Sequence, residues 1–452
     1  MANAIVKLIK ARKKRIEEAH PWVYASEIEQ VDQEGLEPGS LVDVVAHNGK
    51  YLATGYWNPA SQITVRIVAY ESITTMDQAF FVERLTRCKV HRARFVKDQD
   101  CRLVYGEADF LPGLIVDRFE NVLVLQILSL GMEKHKEALI AALIEVFQPK
   151  GIYERSDVSV RKLEGLEERT GVIYGECPAI VEISENGLLM EVDIVQGQKT
   201  GYFFDQRENR ASLEPLMKGW GDRSGIALST LEDGRRAPVN RNGKEVTFPY
   251  WDGATVLECF AHTGSFTLHA CKYGAKQVTC LDVSAHAIDT AKRNVERNGF
   301  TDRVEFVVAD AFEYLRTQVK GLDDRKQRAN GGVDTSKKLE NEGRSWDVVI
   351  LDPPAFAKTR SAVEGAKRGY KDINLQGLKL VNEGGYLVTA SCSYHMRPEL
   401  FLEAIQEAAK DAGKVLRLVE WRAAGKDHPQ ILGVTESHYL KFAIFEVTSK
   451  RN

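Results

Sequence analysis

Hydrophobic positions along the first seventy residues come in short runs broken by turn residues. Leu41 to Val45 reads as a strand, Asn48-Gly49 as a hairpin turn, and Asn58-Pro59 as a stop. Ile63, Val65 and Ile67 then alternate with polar partners. The pattern predicts a small β barrel or sandwich. From about Met76 the period turns helical in "DQAFFVERLTRCKVHRARF". Two strands joined through Asn121, the helix "MEKHKEALIAALIEVF" and the strand "GIYERS" follow. They predict an α+β module that ends near "NGLLMEVDI".

Beyond it, "VLECFAHTGSFTLHACKYGAKQVTCLDVSAHAIDTAKRNVERNGF" runs strand, turn, helix, strand, helix. "RVEFVVADAFEYL", "WDVVILDPP" and "GGYLVTASCS" continue the alternation, which predicts a parallel sheet with helices on both faces. Two hydrophilic stretches interrupt it: Met217 to Asp252, and Lys320 to Ser345, which is charged and nearly free of large apolar residues. Both read as surface insertions, the second as a disordered one. The expected boundaries are therefore residues 1–72, 73–187 and 188–452, with insertions near 217–252 and 320–345.

In an open parallel sheet, ligands lie beyond the carboxyl ends of the strands. The first such strand turns through "AHTGSF", where Gly264 permits a close backbone approach and the next helix offers free N–H groups. The second ends at Asp282, suited to a ribose diol, and the third at Asp310, suited to an adenine amino group. A dinucleotide site asks for G-x-G-x-x-G, whereas this turn has one glycine among bulky neighbours, Phe260 and His262. A cofactor without phosphates tolerates that. S-adenosylmethionine (SAM) is such a cofactor, and a nicotinamide enzyme is disfavoured.

The fourth strand ends in "ILDPPAF". The bland account is a strand stop, since proline cannot continue a ladder. Yet Asp352 is an acid at the end of an apolar strand, and Pro353-Pro354 would hold the following carbonyls rigid against the exocyclic amine of a flipped base. Cys392 ends the next strand between Ser391 and Ser393. A thiolate adding to C6 of cytosine makes C5 enamine-like, so Cys392 reads as a nucleophile beside an acid. Cys88, Cys101, Cys177, Cys271 and Cys280 read as small buried hydrophobes. In "GQKTGYFFDQRENR" the spacing supports two readings equally. One is a helix start capped by Asp205. The other is a strap over the cofactor, with an aromatic from the Tyr202 to Phe204 cluster near it and Gln206 and Arg207 as anchors.

Composition narrows the class. A length of 452 residues implies two or three domains, and 44% apolar with 28% charged residues excludes extensive disorder. The N-terminus becomes charged too early for a secretion signal, and no apolar run approaches membrane-spanning length. Seven scattered cysteines do not form a disulfide framework, so the expected compartment is the cytoplasm. A net charge of −3 excludes a polycation, so any nucleic-acid contact rests on local runs such as Lys10 to Arg15 and His91 to Phe95. Taken alone, each run reads as a solvated face.

With these residues in view, the chain resembles the bacterial and archaeal large-subunit ribosomal RNA cytosine-5 methyltransferases that carry an N-terminal PUA domain. "HPWVYASEI", "PGSLVDV" and "GYWNPASQITVRIV" look like the PUA module, and "GEADFLPGLIVDRF" is similar to the central-domain signature. "KTGYFFDQRENR", "CFAHTGSF", "LDPPAF" and "SCS", in that order, look like the catalytic series. The resemblance implies a small β-rich PUA domain, a central α+β domain and an α/β, class I (Rossmann-like) methyltransferase domain. It also implies SAM as donor, ribosomal RNA as substrate and a homodimer. Its cofactor site falls on Phe204, Gln206, Arg207, Phe260, Ala261, Thr263, Gly264, Asp282 and Asp310, with Asp352 beside it. Cys392 takes the nucleophile role, Asp352 contacts the base, and Pro353, Pro354 and Phe356 line the substrate side. Ala355-Phe356 stands where other enzymes place a second cysteine for product release, which leaves the acceptor of the C5 proton open. Two rivals remain: the same fold methylating a guanine or adenine of rRNA with Cys392 structural, and a non-catalytic RNA-binding assembly factor.

Overall fold

The computed structural model describes residues 2–450 apart from 11, 219–227, 233, 235, 240, 241, 243, 244, 246–250, 252, 330–342 and 358. The chain divides into two compact units. One comprises Met1–Gly187, Glu191–Gln206 and Gly425–Ser437; the other Leu188–Met190, Arg207–Ala424 and His438–Asn452. No helix among the described residues is long and apolar enough to cross a membrane.

The first unit opens with a six-stranded sheet ordered Trp22–Tyr24, Ile63–Ala69, Tyr51–Trp57, Leu41–Val45, Ala4–Leu8, Ile28–Val31. Its period-2 side chains, Val6, Val42, Val44, Val65 and Ile67 among them, close one core. The helix Gln78–Phe95, capped by Asp77, then packs with Lys136–Phe147 on a five-stranded sheet. Tyr56 and Val68 of the first sheet are buried in that second core, so the two modules share packing.

A buried ion pair joins them. Glu164, 2% exposed, accepts Arg66 Nη2 at 2.8 Å, Ser61 Oγ at 2.6 Å and Asn58 Nδ2 at 3.0 Å. In the same unit Arg92 departs from the solvated face expected of "HRARF": it is 3% exposed and forks onto Asp109 at 2.7 and 2.6 Å. In the other run, Lys13 and Lys14 do lie on the surface, paired with Glu17 and Glu18.

The second unit is the alternating part. In chain order it runs β1 (Thr255–Cys259), α1 (Ser265–Lys272), β2 (Gln277–Asp282), α2 (Ala285–Arg297), β3 (Val304–Val308) and α3 (Ala311–Ala329). β4 (Trp346–Leu351), α4 (Val363–Leu380), β5 (Val381–Ser391), α5 (Pro398–Asp411), β6 (Lys414–Arg422) and β7 (Lys441–Ser449) complete it. The sheet order is β3-β2-β1-β4-β5-β7-β6, with β7 antiparallel to both neighbours and the first five strands parallel. Val256, Val348, Ile350 and Val388 pack into one core, and Leu257, Val349, Leu351 and Leu387 into another. Both faces are covered, which is why these strands read as unbroken apolar runs.

The expected insertion from Lys320 is corrected in part. α3 continues through it to Ala329, with Leu322 buried at 6%, and residues 330–342 lie outside the described set. Within the earlier stretch, Leu228–Thr230 and Arg236–Pro238 pair as an antiparallel hairpin. Much of the rest of that stretch lies outside the described residues.

One further buried acid shapes the sheet. Glu258 of β1, 2% exposed, accepts Thr267 N–H of α1 at 2.7 Å and the Thr267 hydroxyl on the same oxygen. Burial, with the charges of Asp352 and Asp282 adding to it, pushes its carboxyl from 4.5 up to about 8.

Two outcomes are expected. Glu164→Ala leaves Arg66 buried with its better partner gone and lowers stability by about 3 kcal/mol, read from urea unfolding. For Glu258, the folded state keeps a proton that the unfolded chain releases near 4.5. This contribution is therefore present below that pH and is lost as pH rises through about 8. Urea unfolding of wild type should weaken more from pH 5 to pH 8 than that of Glu258→Gln.

Candidate active site

Strand register puts the chemistry on one edge of the sheet. Cys259 of β1 lies level with Leu281 of β2 and Leu351 of β4; Asp282 is level with Val308 of β3, and Leu351 with Thr389 of β5. The residues that follow, Phe260, Asp282, Asp310, Asp352 and Cys392, therefore leave the sheet at the same end.

After β1 the chain makes a tight left-handed turn. Phe260, His262 and Gly264 have φ of 64°, 49° and 79°. Only Gly264 adopts this freely; a Cβ there would also lie 3.0 Å from Ala291 Cβ on α2. Strain of about 1 kcal/mol or more at each of the other two needs fixing contacts. Ala261 N–H donates to Leu281 O at 3.0 Å, and His262 N–H to Asp282 Oδ2 at 2.9 Å. Asp282 also accepts Ser284 N–H at 2.8 Å, so its carboxylate clamps the turn to the head of α2. Asp310 is exposed and accepts Glu313 N–H at 3.0 Å at the start of α3.

The turn fits a polar cofactor. Thr263 Oγ1 is buried and has no hydrogen-bond partner among the described residues, an orphan that a cofactor atom would satisfy. Phe260, Ala261, Thr263, Gly264, Asp282 and Asp310 are the residues available to hold SAM on this edge.

On the other side of β1, Asp352 is half-buried, Pro353 buried and Pro354 exposed. Cys392 Sγ lies 3.8 Å from Pro353 O, so the thiol and the Asp-Pro-Pro strand end meet. The Phe356 ring lies 4.7 Å from that of Tyr370 of α4, tilted by 41°. Ser391 and Ser393 are fully buried rather than lining space for a base. Ser391 Oγ donates to Tyr370 Oη at 2.9 Å; Ser393 Oγ lies 3.1 Å from Tyr370 Oη and accepts Ala357 N–H at 3.1 Å. Their job is to fix the turn that carries Cys392. Lys441, at the head of β7, donates to Ser393 O at 2.6 Å.

The strap segment is divided between the two units. Phe204 and Gln206 belong to the first unit, and Arg207 to the second. Phe204 is 1% exposed, its ring 5.0 Å from Tyr202 and 5.3 Å from Phe119. Asp205 sits inside a 3-10 turn, Phe204–Gln206, ahead of the helix Arg207–Ala211, and so is not the expected cap. Of the cysteines read as buried, Cys177 is half-exposed and the other four are buried.

Sequence reasoning missed Tyr370, Lys441 and Glu258. A lysine opening the apolar run "KFAIF" and an acid inside "VLECF" were the available signals; Tyr370 carried none.

Residues 6–70 match the PUA-like domain family, and residues 256–323 the methyltransferase domain family. A relative from Shewanella denitrificans, ribosomal RNA large subunit methyltransferase I, is 37% identical over 447 residues, covering 98% of this chain and 99% of its own. Its namesake from Pseudoalteromonas translucida is 38% identical over 451 residues, covering 98% and 100%. A solved structure described as a SAM-dependent methyltransferase from Streptococcus mutans aligns with a TM-score of 0.72 at 18% identity, over 99% of this chain and 100% of that one. Another methyltransferase, complexed with SAH, aligns with the same score and coverage at 19% identity. The architecture is an N-terminal PUA-like β domain, a central α+β domain and a C-terminal Rossmann-like SAM-dependent methyltransferase domain. With identity of this order running end to end, the chain belongs to the ribosomal RNA large subunit methyltransferase I family.

Proposed function

We propose that the protein methylates C5 of a cytosine in large-subunit ribosomal RNA through a covalent Cys392 adduct. The observation that carries this reading is the 3.8 Å approach of Cys392 Sγ to Pro353 O, which brings a thiol beside the Asp352 strand end. The name shared by the full-length relatives supports the RNA substrate.

C5 of cytosine is too electron-poor to attack a methyl group unaided. Cys392, as thiolate, forms a bond to C6 and displaces the C5–C6 electron pair toward C5. Asp352, placed at the N3 edge, gives the ring the proton that balances this charge. SAM, when bound, would supply an electrophilic methyl group to C5 and leave as its neutral thioether. Once C5 is methylated, its proton leaves to a base. Expulsion of the Cys392 thiolate restores the double bond, and N3 returns its proton to Asp352. Pro353 and Pro354 hold the carbonyls that accept the exocyclic amine, and Phe356 lines the same side. Arg207, in the same unit, joins the cofactor residues in this reading.

The substrate implies cytoplasmic work, and the family resemblance supports a homodimer with the PUA-like domain gripping folded RNA by backbone and shape.

Ribosomal RNA containing 5-fluorocytosine cannot lose a C5 proton, so wild type should form a SAM-dependent adduct that survives denaturing electrophoresis. Cys392→Ser should abolish it. Equal trapping by that variant refutes the nucleophile, and a methylated guanine or adenine amine in the product refutes the target atom. Sedimentation should give twice the chain mass; the mass of one chain would refute the dimer.

A further inference from the structure

Lys441 is 2% exposed and makes no ion pair among the described residues. Its Nζ donates to two neutral acceptors, Ser393 O at 2.6 Å and Tyr439 O at 2.6 Å. A buried ammonium held only by carbonyls is costly, and a methionine or leucine would fill the same space without that cost. β7 pairs Lys441 directly with Ser391, so the ammonium lies against the turn Ser391 to Ser393 that presents Cys392. The ionisable partner that the ammonium feels is the Cys392 sulfur.

We propose that Lys441 is a positioning residue whose ammonium fixes the Cys392 turn through Ser393 O and stabilises the thiolate of Cys392. This rests on the reading of Cys392 as the nucleophile. Burial pushes the Lys441 ammonium down to about 8, and a Cys392 thiolate pulls the other way. The charge is therefore present at neutral pH and fades above about 8.

The other titratable groups at the turn do not take over this task. Tyr370 of α4 is pushed up to about 12, chiefly by burial, and stays neutral. Asp352 at the end of β4 carries negative charge when ionised and opposes a thiolate. Tyr394 and His395 follow in the turn itself and face outward, exposed and half-buried. A free thiol near 8.5 is only a few per cent thiolate at neutral pH, so a neighbouring cation raises the reactive fraction directly.

The test is the pH dependence of iodoacetamide alkylation at Cys392, followed by mass spectrometry of its peptide in the full-length protein. Lys441→Gln keeps hydrogen-bond donors for the two carbonyls but removes the charge; Lys441→Met removes both. Lys441→Gln should raise the alkylation midpoint by about one pH unit and slow alkylation near neutral pH about tenfold. Lys441→Met should shift it at least as far, with a lower melting temperature as well. A purely structural lysine would lower the melting temperature of the variants and leave the midpoint alone. An unchanged midpoint in Lys441→Gln therefore overturns the proposal even if Lys441→Met does not fold. The adduct on 5-fluorocytosine RNA separates the two ideas. A shifted midpoint with no adduct in wild type keeps the electrostatic pairing and discards the nucleophile.

Discussion

The register of the five parallel strands is the constraint on which the candidate site depends. Because Cys259, Leu281 and Leu351 are level, and Leu351 is level with Thr389, the residues that leave each strand emerge together. A slip of one residue between β4 and β5 would move Cys392 by about 3.3 Å and turn its side chain to the other face. Two apolar cores, one on each face, fix that register more firmly than any polar contact at the edge. The site therefore inherits its geometry from the least polar part of the protein.

Polar groups then act locally on that frame. The turn after β1 holds two non-glycine residues in left-handed conformations, and Asp282 pins it through His262 N–H. The turn after β5 is fixed by Tyr370, two buried serines and Lys441. In both places hydrogen bonds lock a loop at the end of a strand, which is how a rigid sheet carries an irregular site. The serines show the economy of this arrangement: small enough to be buried, they spend their hydroxyls on the scaffold and leave the thiol between them half-exposed.

Much of this was legible in the sequence because it rests on local pattern. Alternation of strand and helix, the one-glycine turn and the strand-end acids follow from periodicity and residue type. What escaped depended on packing between distant segments. Lys441 is 49 positions beyond Cys392, and only the antiparallel return of β7 brings it under the turn. Arg92 looked like a solvated charge because the carboxylate that buries it, Asp109, lies beyond the end of its helix. Lys320 to Ala329 looked disordered because its exposed face is charged. The i, i+4, i+7 stripe of Leu315, Val319 and Leu322 ran across the boundary drawn there.

The electrostatics of the edge have to serve two opposite demands. In the proposed mechanism a cationic sulfonium donor would be favoured by the acids at 282 and 310, and by that at 352 once it has given up its proton, whereas a thiolate nucleophile would be disfavoured by those same charges. A fourth charged carboxylate at Glu258 would add to Asp352 and Asp282, and burial keeps that group protonated near neutral pH instead. The remaining imbalance is between Asp352 and Cys392, close to each other across the Pro353 carbonyl. A cation with no carboxylate partner of its own among the described residues, seated against the Cys392 turn, would in our proposal correct it without pairing with the strand-end acids. The buried neutral glutamic acid limits negative charge beside Asp352 and Asp282, and the buried lysine, in our proposal, offsets it beside the Cys392 turn, with the strand-end acids left in place.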